Sequence, residues 1–185
     1  IGYRQLPAAL TLCDDTVGMF QDFPLFNCHD GVFMENIWGV HEGGPSTEAW
    51  LRDDDPLYPC NDPVFDDKYL DGCWSNQPAR LYQLFGGDLG KVGEVCFSVE
   101  NAQHRETCFN GLSRQIHPLT EGNVEKTFEL CGKLAPNWRN FCVTTNATAG
   151  FSVGDRQIPY LLCANAAGKD ECYRGLIGSI KVYAK

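Results

Sequence analysis

The sequence predicts an all-α protein, an α-solenoid-like array of about five αα-hairpins, each stapled by its own disulfide. Three observations carry that prediction. Ten cysteines fall into five sequential pairs, at 13/28, 60/73, 96/108, 131/142 and 163/172. The apolar residues around them recur at helical spacing. Alternating apolar and polar runs, which mark half-buried strands, are scarce.

The cysteine spacing is itself a repeat. Gaps within pairs shrink from 15 through 13, 12 and 11 to 9, and successive first cysteines lie 47, 36, 35 and 32 residues apart. That is the period range of helical-hairpin repeats. A cysteine late in one helix and another early in the next would close a short hairpin, stabilising it by about 3 kcal/mol in the chain-entropy picture. The regular gaps favour neighbour pairing: Cys13–Cys28, Cys60–Cys73, Cys96–Cys108, Cys131–Cys142 and Cys163–Cys172. The C-x-x-C spacing of zinc ribbons, thioredoxin-like sites and c-type haem attachment is absent.

The elements follow in order within a single helical-repeat domain, 1–185. The first hairpin, about 1–40, opens on Leu6/Leu10/Cys13 and turns into a second helix at Cys28. An inserted loop, 38–59, lengthens the first interval and carries Gly43-Gly44-Pro45 and Asp53-Asp54-Asp55. Asp62-Pro63 marks a helix start in the second hairpin, 60–86, and Gly86-Gly87 its exit. The third, 88–117, shows Leu89/Val92/Cys96 and then Cys108/Leu112/Ile116, ending at His117-Pro118. The fourth, 121–151, shows Val124/Phe128/Cys131, a start at Ala135-Pro136 and an exit at Gly150. The fifth, 155–185, closes on Cys172/Leu176/Ile180. Three second helices share Cys-x-x-Gly, at Gly31, Gly111 and Gly175. Glycine costs about 1 kcal/mol of helix propensity, so close helix–helix approach is the expected reason for it.

In architecture the array resembles disulfide-bridged α-solenoids such as the cysteine-rich Sel1-like proteins. The small-residue consensus of Sel1-like and tetratricopeptide repeats is not present, so the resemblance implies a fold and no activity.

Five disulfides suit an oxidising compartment, so the chain is expected to be secreted, periplasmic or at the cell surface. No apolar run reaches the 18 or so residues of a membrane span. Ile1 stands where Met would, with no leader-like segment after it, which reads as a processed chain or part of a longer one. Net charge is −9 and unevenly spread: residues 1–75 hold 14 Asp+Glu against 3 Lys+Arg, residues 76–185 hold 10 against 12. Nucleic acid is an unfavourable partner for such a surface. Another protein or subunit, a basic one in particular, or head-to-tail contact between copies suits it better.

Candidate sites are few. Two of the four histidines fall in one stretch, and His29, Glu35, His41 and Glu42 form a candidate transition-metal set. On one helix His29 and Glu35 lie about 120° apart, so ligands from the loop would be needed. The competing reading places His29 one residue after its cysteine, in a column with Trp74, Phe109, Val143 and Tyr173 that packs between hairpins. Asp53, Asp54 and Asp55, with Asp62, Asp66, Asp67 and Asp71, offer oxygen ligands for calcium but do not match an EF-hand. Asp62 is expected to cap a helix. Trp38, Trp50 and Tyr58, beside Asp53–Asp55, are candidate interface anchors in the loop, or else they fold back over the first hairpin. Asn146-Ala147-Thr148 is a glycosylation sequon if it faces solvent. No catalytic motif and no cofactor signature appears. The function expected from the sequence is therefore a structural or protein-binding module within a larger assembly, with a metal-binding protein or metal-dependent enzyme as the alternative.

Overall fold

The computed structural model describes residues 5–16, 25–38 and 50–183, with side chains for 5–16, 28–37 and 50–178. Among the described residues there are nine helices and no strand: α1 (Leu6–Thr16), α2 (Leu25–Trp38), α3 (Asp67–Leu84), α4 (Leu89–Ser98), α5 (Ala102–Thr120), α6 (Val124–Cys131), α7 (Pro136–Ser152), α8 (Ile158–Asn165) and α9 (Lys169–Tyr183). All ten cysteines are paired, each with its sequence neighbour as the spacing predicts. The chain divides into two compact units. Unit 1 comprises residues 1–87 and 95–108; unit 2 comprises 88–94 and 109–185.

Four disulfides join consecutive helices, α1/α2, α4/α5, α6/α7 and α8/α9. The second departs from the predicted hairpin. Cys60 lies in a turn-rich segment, 50–66, and its partner Cys73 lies in α3. Pro56, Pro59 and Pro63 explain the difference, since each lacks an N–H and biases the residue before it away from helix. Isolated turns result, with Tyr58, Asn61, Asp62 and Phe65 donating to carbonyls three or four residues back. Asp62 accordingly caps no helix, and its carboxylate accepts from Val64 N at 3.0 Å in a local turn. The cap of α3 is Asp66, which accepts from Lys68 N.

In unit 1, Leu6, Leu10 and Cys13 form the predicted buried stripe of α1, and Phe33 and Ile37 are buried on α2. Helices α2 and α3 approach closely at Gly72 of α3. A Cβ there would meet Asp30 N at 2.9 Å and the His29 carbonyl carbon at 3.0 Å, so only glycine lets α2 and α3 approach. Gly31, expected to serve that purpose, has open space around it. Gly86 and Gly87, both at positive φ, end α3 as predicted.

In unit 2, Leu112, Ile116, Leu134, Ala147 and Leu162 are fully buried. Phe109 stacks on Trp138, ring centroids 3.9 Å apart. The buried face of α6 is Thr127 and Cys131, while Val124 and Phe128 are half-buried; the stripe is displaced from the predicted one. Asn123 caps α6, accepting from Lys126 N at 2.8 Å, and Pro136 opens α7 as expected. Two predicted ends fall inside helices. Pro118 lies within the last turn of α5, which terminates at Glu121 and Gly122 with positive φ. Gly150 is buried in α7, where a Cβ would touch Pro159, and the exit comes at Gly154. Gly175 does mediate close approach, since a Cβ there would lie 2.7 Å from Thr144 of α7.

Candidate functional site

A group of titratable side chains in unit 1 is assembled by the first disulfide. Asp14 and His29 each follow a cysteine of the Cys13–Cys28 pair, so the bridge sets them side by side. His29 Nε2 lies 3.1 Å from Asp14 Oδ1. The first turn of α3 supplies the other partners: Lys68 Nζ donates to Asp14 Oδ2 at 2.7 Å, and Tyr69 OH to the same oxygen at 2.6 Å. The His29 and Tyr69 rings meet edge to face, 4.9 Å between centroids.

Electrostatics follow from that geometry. Hydrogen bonds from Lys68 and Tyr69 outweigh partial burial and hold the Asp14 carboxyl down at about 2. The same hydrogen bonds to Asp14, helped by its negative charge, raise the Lys68 ammonium and the Tyr69 phenol above their ordinary values. Both oxygens of Asp14 are engaged by donors, so the carboxylate acts as a hub tying α1, α2 and α3 together. A hub of this kind orders helices; it presents no activated nucleophile.

Helix α3 makes further polar contacts with α2 and with the start of α5. Ser75 Oγ and Asn76 Nδ2 donate to Asp30 Oδ1 at 2.6 and 2.9 Å. His104 Nε2 lies 3.4 Å from Asp67 Oδ1. Gln103 and Thr107 donate to Asp71.

The loop residues singled out from sequence fall into two groups. Trp50 and Tyr58 pack inward. Trp50 is half-buried, stacked with Tyr58 and edge-on to Phe65, and Phe65 meets Phe33 of α2. Asn36 of α2 holds both backbone groups of Trp50, donating to its carbonyl at 3.0 Å and accepting from its N–H at 2.9 Å. Gln77 of α3 donates to the carbonyls of Pro56 and Tyr58 at 2.7 and 3.0 Å. Arg52 covers the Tyr58 ring at 3.8 Å, and burial pushes the Tyr58 phenol up. This part of the loop is a strap over α2 and α3. The acidic residues face outward: Asp53 pairs with Arg80, Asp54 is exposed, and Asp55 accepts from Leu57 N and Asn61 Nδ2 within a turn.

Of the metal set, His29 is 4% exposed and engaged with Asp14, while Glu35 is exposed. His41 and Glu42 lie outside the described residues, as does the side chain of Trp38. Among the described residues no group of three or more His, Cys, Asp or Glu side chains is arranged to hold a metal ion. The burial expected at the position after the second cysteine is found at His29, Trp74, Phe109 and Val143, while Tyr173 is half-buried. Asn146 is the correction among the site residues. It is 1% exposed, and its Nδ2, the atom a glycan would occupy, donates to Ser113 O and Cys142 O. The folded chain has no room for a sugar there.

Asp14, Lys68, Tyr69 and Gly72 were not singled out by sequence reasoning. A signal existed for Asp14 alone, since neighbour pairing of cysteines places the residues after them together. Comparison of the chain with protein-family models, curated proteins and solved structures finds no match.

Proposed function

We propose that this chain is an extracytoplasmic helical-repeat protein that serves as a structural or protein-binding module within a larger assembly. The observation that supports it best is a recurring mode of packing. Second helices lie on second helices through glycine, α2 against α3 at Gly72 and α7 against α9 at Gly175, and every staple is local to its own pair of segments. Repeats of this kind build extended surfaces, and their disulfides suit a secreted, periplasmic or cell-surface setting. Unit 1 carries 16 Asp+Glu and 5 Lys+Arg, with Asp53, Asp54, Asp66 and Asp67 exposed, which favours a basic protein surface as partner.

Crosslinking in the native compartment, followed by binding of the purified partner, tests this reading. The expected result is a protein partner whose affinity falls with salt and with Asp53→Asn plus Asp54→Asn. Metal analysis of the same preparation is the opposing arm. One equivalent of a transition metal, lost on His29→Ala, would replace the binding module with the metal-dependent reading.

A further inference from the structure

We infer that copies of this protein associate with one another head to tail, the α8–α9 face of one copy meeting the α1–α2 face of the next. This rests on the protein-binding reading and names its partner as a second copy. Eight large apolar side chains are exposed among the described residues, and five of them lie on these two helix pairs: Leu12 and Met34 on the first, Tyr160, Leu161 and Ile177 on the last. Ile177 and Tyr160 are 52% and 59% exposed, a large apolar area for side chains projecting from rigid, stapled helices. Tyr160 lies against half-buried Tyr173, centroids 5.8 Å apart, so the aromatic part of this face is preformed. Beside Ile177, Gly178 is exposed, with open space where a Cβ would stand.

Charge selects the occupant. Asp14 and Asp30 are engaged within unit 1, which leaves Asp15 and Glu35 as the exposed charges of α1 and α2, and the two helices carry no Lys or Arg. Helix α8 carries no charge. Among its described side chains, α9 carries Lys169 and Arg174 with Asp170 and Glu171, the two acids in its first turn, so Arg174 is the charge that stands nearest Ile177 along the helix. Glu35 directly follows Met34 on the first face, and exposed Arg174 precedes Ile177 by one helical turn on the last. Each face thus sets an apolar anchor beside a charge, and the charges are opposite. Two copies of the α1–α2 face would bring carboxylates together, whereas one of each face brings apolar anchors together and opposes Glu35 to Arg174.

Sedimentation velocity over a concentration series tests the contact, using the disulfide-intact protein. The expected result is reversible association, weakened by raising salt. Glu35→Arg and Arg174→Glu should each weaken it about fivefold, as for an exposed ion pair. Ile177→Asp should weaken it at least tenfold, as loss of an apolar anchor does. Mixing the Glu35→Arg and Arg174→Glu proteins should restore association, because unlike copies then present matched faces. A chain that stays monomeric throughout, or one whose association ignores all three substitutions, overturns the inference. So does association that each variant alone retains but the mixture does not improve. If self-association fails while a different basic protein still binds with the salt dependence described above, the binding-module reading stands and only the second copy is removed. Melting curves of each variant separate lost contact from lost fold, and a variant that melts like the parent must still lose association.

Discussion

At the scale of single residues, Asp14 illustrates how a covalent bridge places a charge. Its carboxyl is held at about 2, below the ordinary 3.8, by Lys68 and Tyr69. A depressed folded-state value means that the stabilisation is fully present above pH 4 and is lost as pH falls toward 2. The side chain is a quarter exposed, so solvent screening reduces the contribution to about 1 kcal/mol. Asp14→Asn should therefore lower stability by about that amount at neutral pH and flatten its fall between pH 4 and 2, read by urea denaturation across that range. Phe109 belongs to the same scale. It is buried and stacked on Trp138, so Phe109→Ala should cost about 3–5 kcal/mol. A loss below 1 kcal/mol would contradict the packing of α5. Its burial was legible from its position after Cys108. Its stacking partner was not, because Trp138 sits in the first turn of α7 with no periodic signal to mark it.

At the scale of elements, two glycines separate propensity from packing. Gly31 and Gly72 both lie within helices, yet only Gly72 has a neighbouring backbone against it. Gly31→Ala should stabilise the protein by up to about 1 kcal/mol, since the methyl meets nothing and helix propensity improves. Gly72→Ala should destabilise by about 1–3 kcal/mol, since α2 and α3 must separate to admit it. Thermal melts of both variants, measured together, check the pair of signs. The Cys-x-x-Gly pattern pointed to the wrong glycine in unit 1 because spacing along one helix does not say which face its neighbour occupies. The strap at 50–66 shows the same limit. Asp62-Pro63 was expected to start a helix, whereas the helix begins only at Asp67, and the hold exerted by Asn36 and Gln77 depends on two helices standing at a particular distance. Asp53→Ala with Asp54→Ala should leave the melting temperature within a degree or two, since both are exposed. Asp55→Ala should lower it, because its carboxylate closes a turn through Leu57 N and Asn61.

At the scale of the whole molecule, the staples dominate. Each closes a loop of 9 to 15 residues, worth about 3 kcal/mol in the chain-entropy picture. Five of them together rival or exceed the ~5–15 kcal/mol net stability of a typical domain. Reduction should accordingly unfold the chain at 25 °C, seen as loss of the far-ultraviolet helix signal in excess dithiothreitol. Retained helicity after complete reduction would mean that the apolar cores suffice alone. Charge is organised at this scale too, with 16 acidic and 5 basic residues in unit 1 against 8 and 10 in unit 2. That asymmetry underlies both the basic partner and the head-to-tail contact proposed above.

What the sequence by itself determined is local: the helical class, the pairing of all ten cysteines, the buried stripes of α1 and α5, and the start of α7 at Pro136. These depend on residues within one or two helical turns of each other, or on short loops whose closure entropy favours the nearest thiol. Tertiary structure alone decided which glycine carries the α2–α3 contact, that Asn146 turns inward, and that Asp14 collects donors from α2 and α3. Those outcomes depend on residues up to 55 positions apart in the chain. Their distances are set by helix crossing and side-chain packing, and no periodicity along the chain encodes which faces meet.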